Sequence, residues 1–354
     1  MLRHSSSLVR NWSKCVLSQQ SNVLGQRAYS SPKKNMDLLK ELREKTGAPI
    51  GDIKKCLEAS NWDLNLAFEA LRKKGLATAA KKASRHAAEG LVGFRAAGNR
   101  VAVVEVNSET DFVARNDRFR ALVGQVLDAS LKLEPQGADG AVNMDQLLSS
   151  PSESGSDLKI SDRCAEVAAT VGENVRIRRA FVVQSDGVIG TYVHQSSAPE
   201  MGRIVSAVVL EADGAISDSS RLAIAEASAN FAMHAAGMRP QYLNAADVPT
   251  DVVEKERSLL LAQTEGSGKP AAVVAKMVDG RLNKYYEEVC LVNQKYILDD
   301  TLTIDKAVKK VGKDAGAVGL KIAKFLRIQV GEGLEVVATK DFASEVAEMV
   351  GGSK

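Results

Sequence analysis

One stretch of this sequence sets residue types that do work at a surface side by side: Asn107-Ser108-Glu109-Thr110-Asp111-Phe112-Val113-Ala114-Arg115-Asn116. It places a carboxylate, Asp111, next to a large aromatic, Phe112, in a polar segment where the chain must reverse and face solvent. Such a pair makes and breaks no bond by itself. It suits a helix start, with Thr110 or Asp111 as N-cap and Phe112 packed as a hydrophobic staple. It also suits a wedge offered to another protein. The two readings part at Phe112, because a ring buried in its own core cannot also enter a partner.

Other chemistry is sparse. Cys15, Cys56, Cys164 and Cys290 are far apart and follow no zinc or redox spacing. His86, His194 and His234 are not paired with another ligand at helical spacing, so neither a metal nor a cofactor is expected. Gly266-Ser267-Gly268-Lys269 falls short of a phosphate-cradling loop, since Gln263 and Pro270 stand where that motif needs Gly and Ser or Thr. No nucleophile and base lie at recognisable spacing, and an enzyme is not expected.

Residues 1–36 contain no acidic side chain, while Arg3, Arg10, Lys14 and Arg27 are spread among serines and apolar residues. This is the composition of an organelle-import presequence. Arg27-Ala28-Tyr29-Ser30-Ser31 resembles a mitochondrial cleavage site, so removal of residues 1–29 and a mitochondrial matrix location are expected, with the chloroplast stroma as the alternative. The formal charge of the chain is +3, less than the four cations of residues 1–29. The remainder has no broad positive field and no aromatic residues along a basic stripe, which argues against direct nucleic-acid binding. No apolar run approaches the length of a membrane span.

The elements that position the central stretch can be read from hydrophobic spacing. Residues 100–106 are a β-branched strand, paired with 91–96 around Ala97-Gly98-Asn99. From Asp117 onward, Phe119, Leu122, Val123, Val126 and Leu127 recur at helical spacing. Before them, residues 35–75 read as a three-helix module: a first helix stopping at Gly47, a second starting at Pro49, and a third capped by Asp63 and ended by Gly75. Its pattern resembles the ubiquitin-associated fold. Residues 76–89 read as a helical linker and 134–157 as a polar surface excursion. Helix is predicted over 161–171, then strands over 175–183 and 188–194.

Arg203-Ile204-Val205-Ser206-Ala207-Val208-Val209-Leu210 echoes Arg100-Val101-Ala102-Val103-Val104-Glu105-Val106, and each run precedes a polar loop and a helix. The fold class expected is therefore α+β: two related halves, 90–185 and 186–330, with small antiparallel sheets. The second half's helix covers 219–236 and ends at Gly237, with His234 in its last turn suited to the helix dipole. A helical hairpin at about 250–290 is inserted before a last strand at 320–330. A C-terminal module, 331–354, carries a short helix marked by Phe342, Val346 and Met349.

Six consecutive residues, Thr110-Asp111-Phe112-Val113-Ala114-Arg115, resemble the exchange motif of the translation elongation factor Ts family. Thr46-Gly47-Ala48, Asp52-Ile53-Lys54-Lys55-Cys56-Leu57 and Ala79-Ala80-Lys81-Lys82-Ala83 resemble its amino-terminal signature. Gly172-Glu173-Asn174-Val175-Arg176-Ile177-Arg178-Arg179, Met233-His234-Ala235-Ala236, Lys276-Met277-Val278-Asp279-Gly280-Arg281 and Val330-Gly331-Glu332-Gly333 are similar to its later blocks. The resemblance implies a guanine-nucleotide exchange factor that binds elongation factor Tu in its GDP-bound and nucleotide-free states. Asp111 and Phe112 would press beside the magnesium and phosphate site of that partner, flanked by Thr110, Val113 and Arg115. The three-helix module would dock on the nucleotide-binding domain of Tu. The second half, through His194, would contact its third domain, and the helix around Phe342 would add a further hold. The alternative function, carried by the three-helix module alone, is an adaptor for ubiquitin-like partners.

Overall fold

The computed structural model describes residues 32–264 and 270–334. The expected presequence, the 265–269 connection and the C-terminal helix around Phe342 lie outside the described residues. The chain begins with α1 (Pro32–Thr46), α2 (Ile50–Ala59) and α3 (Leu64–Lys82). It continues through β1 (Glu89–Ala97), β2 (Arg100–Ser108), α4 (Asp117–Ser130), α5 (Met144–Ser149), α6 (Ile160–Val171) and β3 (Arg176–Gln184). Then come β4 (Val188–His194), β5 (Met201–Gly202), β6 (Ile204–Glu211) and α7 (Asp218–Met238). Last are α8 (Thr250–Ala262), α9 (Ala271–Val289), β7 (Lys295–Tyr296), β8 (Asp299–Thr303), α10 (Ile304–Asp314) and β9 (Lys321–Gln329).

Two small antiparallel sheets, ordered β3-β2-β1-β5 and β4-β6-β9, lie face to face. Val101 and Val103 of β2 meet Val205 of β6 and Ile328 of β9 in the layer between them. The opposite face of β2, with Ala102, Val104 and Val106, packs on Phe119, Leu122 and Val126 of α4. Val208 and Leu210 of β6 likewise pack on Ile224 and Phe231 of α7. Both central strands are therefore covered on both faces, which explains why their sequences are near-continuous apolar runs rather than alternating ones. Each sheet repeats one plan, a hairpin-like pair followed by a helix and closed by a later strand on the central one. The mixed helix and antiparallel-sheet class is the one expected.

In the helix–sheet contact of the second half, Gly190 of β4 touches the α7 backbone so closely that a Cβ there would fall 2.3 Å from the Ala229 nitrogen. The Ser228 hydroxyl fills the remaining space, accepting from the Gly190 amide at 2.9 Å and donating to the Val208 carbonyl at 2.8 Å. A side chain at position 190 would push the helix off the sheet.

Several local expectations are corrected. Gly75 does not end the third helix. It lies inside α3, where the missing side chain allows α3 to rest on α6; a Cβ would stand 3.1 Å from the Ala169 methyl. The intrinsic penalty of Gly in a helix is offset by that close approach. Gly237 likewise lies within α7, and the left-handed residue is Arg239 (φ 52°), just before Pro240. The polar excursion is stitched to the first sheet, with the Val142 amide donating to the Ala180 carbonyl and the Val182 amide to the Gly140 carbonyl. Its Leu147 on α5 is fully buried. Finally α10 and the β7–β8 pair were not anticipated, although Ile304, Ala307 and Val308 at helical spacing enter the second core and Thr303 caps the helix.

His234 also departs from expectation. It is fully buried rather than a cation at a helix end. Its Nδ1 accepts the Ile297 amide at 3.2 Å, so Nε2 carries the proton and donates to the Gln294 side-chain oxygen at 3.0 Å. Burial pushes its pKa below the usual 6.5, against a smaller raising effect of Gln294. The unfolded chain therefore binds a proton more readily than the native one, and the stability from a neutral His234 is present above about pH 6.5 and lost as pH falls through the depressed native value. The unfolding midpoint of the protein is expected to drop between pH 7.5 and 5.5 more steeply than that of His234→Gln. Parallel profiles would show that this ring is not the titrating group.

Candidate partner-binding site

The loop between β2 and α4 is polar yet ordered. β2 runs to Ser108, whose hydroxyl donates to the Thr110 carbonyl at 2.9 Å. A single 3-10 turn over Val113–Arg115 follows, closed by the Arg115 amide on the Phe112 carbonyl at 3.1 Å. Asn116, not Thr110 or Asp111, caps α4, its side-chain oxygen accepting from the Arg118 amide. The extra turn displaces the helix start by several residues and so frees Phe112 from the staple position. Val113 and Ala114 enter the main core in its place.

Phe112 is 74% exposed, against 0% for Phe119 one turn into the next helix. The ring stands in water on a braced backbone; Leu222 and Val318 are exposed to a similar degree, and what sets Phe112 apart is its place beside Asp111 on an ordered loop. Asp111 is half exposed and lies 3.6 Å from the exposed Arg115 guanidinium. The expected pair thus stands together at the tip. Thr110 faces inward, its amide and hydroxyl both donating to the Glu173 carboxylate at 2.9 and 2.6 Å. Val113, expected to flank the contact, is buried and supports the loop from below. His194 stands exposed at the end of β4 in the second sheet, with Nδ1 3.4 Å from the Tyr192 hydroxyl. Phe342 lies outside the described residues.

Residues that the sequence did not assign to this site hold the arrangement. Glu109 accepts the Asn174 amide at 2.6 Å, while Glu173 grips Thr110 from the α6–β3 turn. Glu105, fully buried on β2, receives Arg178 at 3.0 and 3.1 Å, Arg179 at 2.5 Å and the Gly331 amide at 2.8 Å. A β-bulge opposite Glu105 and Val106 leaves Arg178 without a cross-strand partner, so two successive arginines reach one carboxylate. Their type was visible in the sequence, but nothing in their spacing tied them to Glu105.

On the amino-terminal helices Met36, Ile50 and Leu66 are each more than half exposed. These helices rest on the first half through α3 and α6. The Arg118 guanidinium donates to the Glu44 carbonyl at 2.9 Å, and Arg72 lies 3.0 Å from Asp162. Among the described residues no group of three His, Cys, Asp or Glu side chains is arranged to hold a metal, and no helix is long and apolar enough to cross a membrane. The partly buried Cys164 thiol is pushed up to about 12 by desolvation, opposed by a hydrogen bond to the backbone of Ile177, which leaves it protonated and unreactive.

A family model described as Elongation factor TS matches residues 109–332, starting within the loop that carries Phe112. A mitochondrial elongation factor Ts of Ostreococcus tauri is 45% identical over 345 residues, covering 92% of this chain and 95% of its own. An elongation factor Ts of Paramagnetospirillum magneticum is 45% identical over 315 residues, covering 89% of this chain and 96% of its own. A mitochondrial elongation factor Ts of Zea mays is 40% identical, covering 91% of this chain and 86% of its own. With the match extending from the Phe112 loop to the turn after β9, and relatives aligned over about nine-tenths of its length, the chain belongs to the elongation factor Ts family.

Proposed function

We propose that the protein is the guanine-nucleotide exchange factor of elongation factor Tu in organellar translation elongation, acting without a chemical step or a cofactor of its own. The observation that carries this reading is Phe112, exposed on a braced loop within the family-matched region. Exchange factors work by linkage: a protein that binds the nucleotide-free partner better than the GDP-bound one must loosen GDP by the same factor. Burying Phe112 in the open partner contributes roughly 1.5 to 3 kcal/mol, about tenfold to hundredfold of coupling. Asp111 beside it would disturb the magnesium and phosphate site of Tu by geometry, shifting the metal's own ligands rather than binding the ion.

In the same reading α1 to α3, a ubiquitin-associated-like module with its exposed Met36, Ile50 and Leu66, dock on the nucleotide-binding domain of Tu. The second half, with His194, takes the third domain. The 331–354 segment, with Phe342, supplies a further hold. The adaptor alternative finds no support, because relatives align across about 90% of the chain whereas an adaptor would need the three helices alone. The mitochondrial names of the Ostreococcus and maize relatives favour an organelle, and the Arg-bearing, acid-free residues 1–36 favour the matrix over the stroma.

The direct test uses purified elongation factor Tu loaded with a fluorescent GDP. Catalytic amounts of the protein are expected to speed GDP release at least about tenfold. Release at the spontaneous rate, with the protein folded and in excess, would sink the exchange reading.

A further inference from the structure

Between Ser108 and Val113 the loop has no apolar anchor, so polar contacts alone decide where its tip points. The strongest come from a turn more than sixty residues away. Gly172 takes the left-handed conformation that closes α6, and the reversal brings Glu173 back against β2. There Oε2 accepts the Thr110 amide at 2.9 Å and Oε1 the Thr110 hydroxyl at 2.6 Å. The bond is returned one residue along each chain, where Glu109 accepts the Asn174 amide at 2.6 Å. The Asn174 side chain in turn donates to the Ala83 and Arg85 carbonyls at 3.3 and 2.7 Å. A charged acceptor taking both donors of one residue is a strong and directional hold. The residue it holds immediately precedes Asp111 and Phe112.

We propose that Glu173 is the positioning residue of the exchange loop: its carboxylate fixes Thr110 and thereby the angle at which Asp111 and Phe112 are presented. This rests on the exchange reading above. Glu173 does not touch the partner nucleotide; it acts through Thr110. Val113 and Ala114 remain in the core without it, so its loss frees the tip while the fold stays intact. A wedge ordered before contact avoids the entropy of ordering it during contact, the usual gain of preorganisation.

The test uses the full chain as Glu173→Gln, Thr110→Val, Phe112→Ala and the Glu173→Gln/Phe112→Ala double variant. Three quantities are read: stimulated GDP release from elongation factor Tu at saturating factor, amide hydrogen exchange over residues 109–113, and the unfolding midpoint. Glu173→Gln is expected to lower the maximal release rate about tenfold and to speed amide exchange across the loop, with the midpoint within about 2 °C of wild type. Adding Phe112→Ala to it should cost less than about threefold more, because a misdirected ring has little left to lose. Losses that multiply, or wild-type release by Glu173→Gln beside an impaired Phe112→Ala, would overturn the positioning role and leave the exchange reading standing. Normal stimulated release by Phe112→Ala alone would remove the wedge role of Phe112 and with it the positioning role of Glu173, while exchange itself is decided by the unmodified protein. Should Glu173→Gln fold poorly, Thr110→Val, which deletes only the hydroxyl half of the hold, carries the test with an expected loss of about threefold, and unchanged exchange and loop protection in that variant would overturn the proposal.

Discussion

Phe112→Ala is expected to slow stimulated GDP release from elongation factor Tu about tenfold or more while leaving the fold within about 0.5 kcal/mol of wild type. The two halves of this result come from one measurement of exposure. A ring that is 74% in water contributes little to the native core, so truncating it creates no cavity there. The same ring regains its transfer free energy only on entering a partner, and that energy is available for the step in which GDP leaves. A buried aromatic behaves in the opposite way. Phe119, fully buried one turn into α4, would cost about 3 to 5 kcal/mol as Phe119→Ala. Measuring the unfolding midpoint and fluorescent GDP release on both variants sets the two patterns side by side. An unstable Phe112→Ala whose folded fraction exchanges normally would end the wedge reading.

A stability effect as large as that of Phe119→Ala belongs to Glu105. Its carboxylate is removed from water and surrounded by donors from three places: Arg178 and Arg179 on β3, the Asn107 amide group at 3.1 Å on its own strand, and the Gly331 amide beyond β9. Gly331 follows the last strand of the second sheet, so this one side chain ties the two sheets together. Truncating one member of a buried ion pair strands the others, which makes the loss far greater than the net worth of the pair. Glu105→Ala is expected to cost about 3 to 5 kcal/mol, which for a chain of this size lowers the unfolding midpoint by roughly 4 to 7 °C. The exposed Asp305–Lys309 pair, at 2.7 Å on α10, serves as the contrast, and Asp305→Asn should change stability by no more than about 0.5 kcal/mol. Equal midpoints for the two variants would show that the carboxylate at position 105 is dispensable to the junction of the sheets.

Much of the architecture was legible in local pattern. The Val-rich runs at 101–106 and 204–210 identify the two central strands, because strands covered on both faces favour apolar residues at nearly every position, Glu105 and Ser206 being the buried polar exceptions. Asp63 before α3 and Pro49 before α2 mark helix starts, and the apolar spacing from Phe119 to Leu127 defines α4 and its buried face. The sequence also determined that Asp111 and Phe112 fall together in a reversal between strand and helix. These features depend on residues within a turn or two of one another, where period and capping chemistry act.

Only the tertiary structure decided which way Phe112 points. A staple and a wedge share the same local sequence, and the choice depended on a 3-10 turn that sends Val113 and Ala114 inward and leaves the ring outside. The continuation of α3 past Gly75 depended on α6, which the glycine approaches. Thr110 and Glu173 are 63 residues apart, Glu105 and Arg178 are 73, and Glu105 and Gly331 are 226. Contacts at such separations leave no periodic trace in a sequence. They exist because two sheets, each determined by its own hydrophobic runs, pack face to face and bring polar residues from distant turns to one edge.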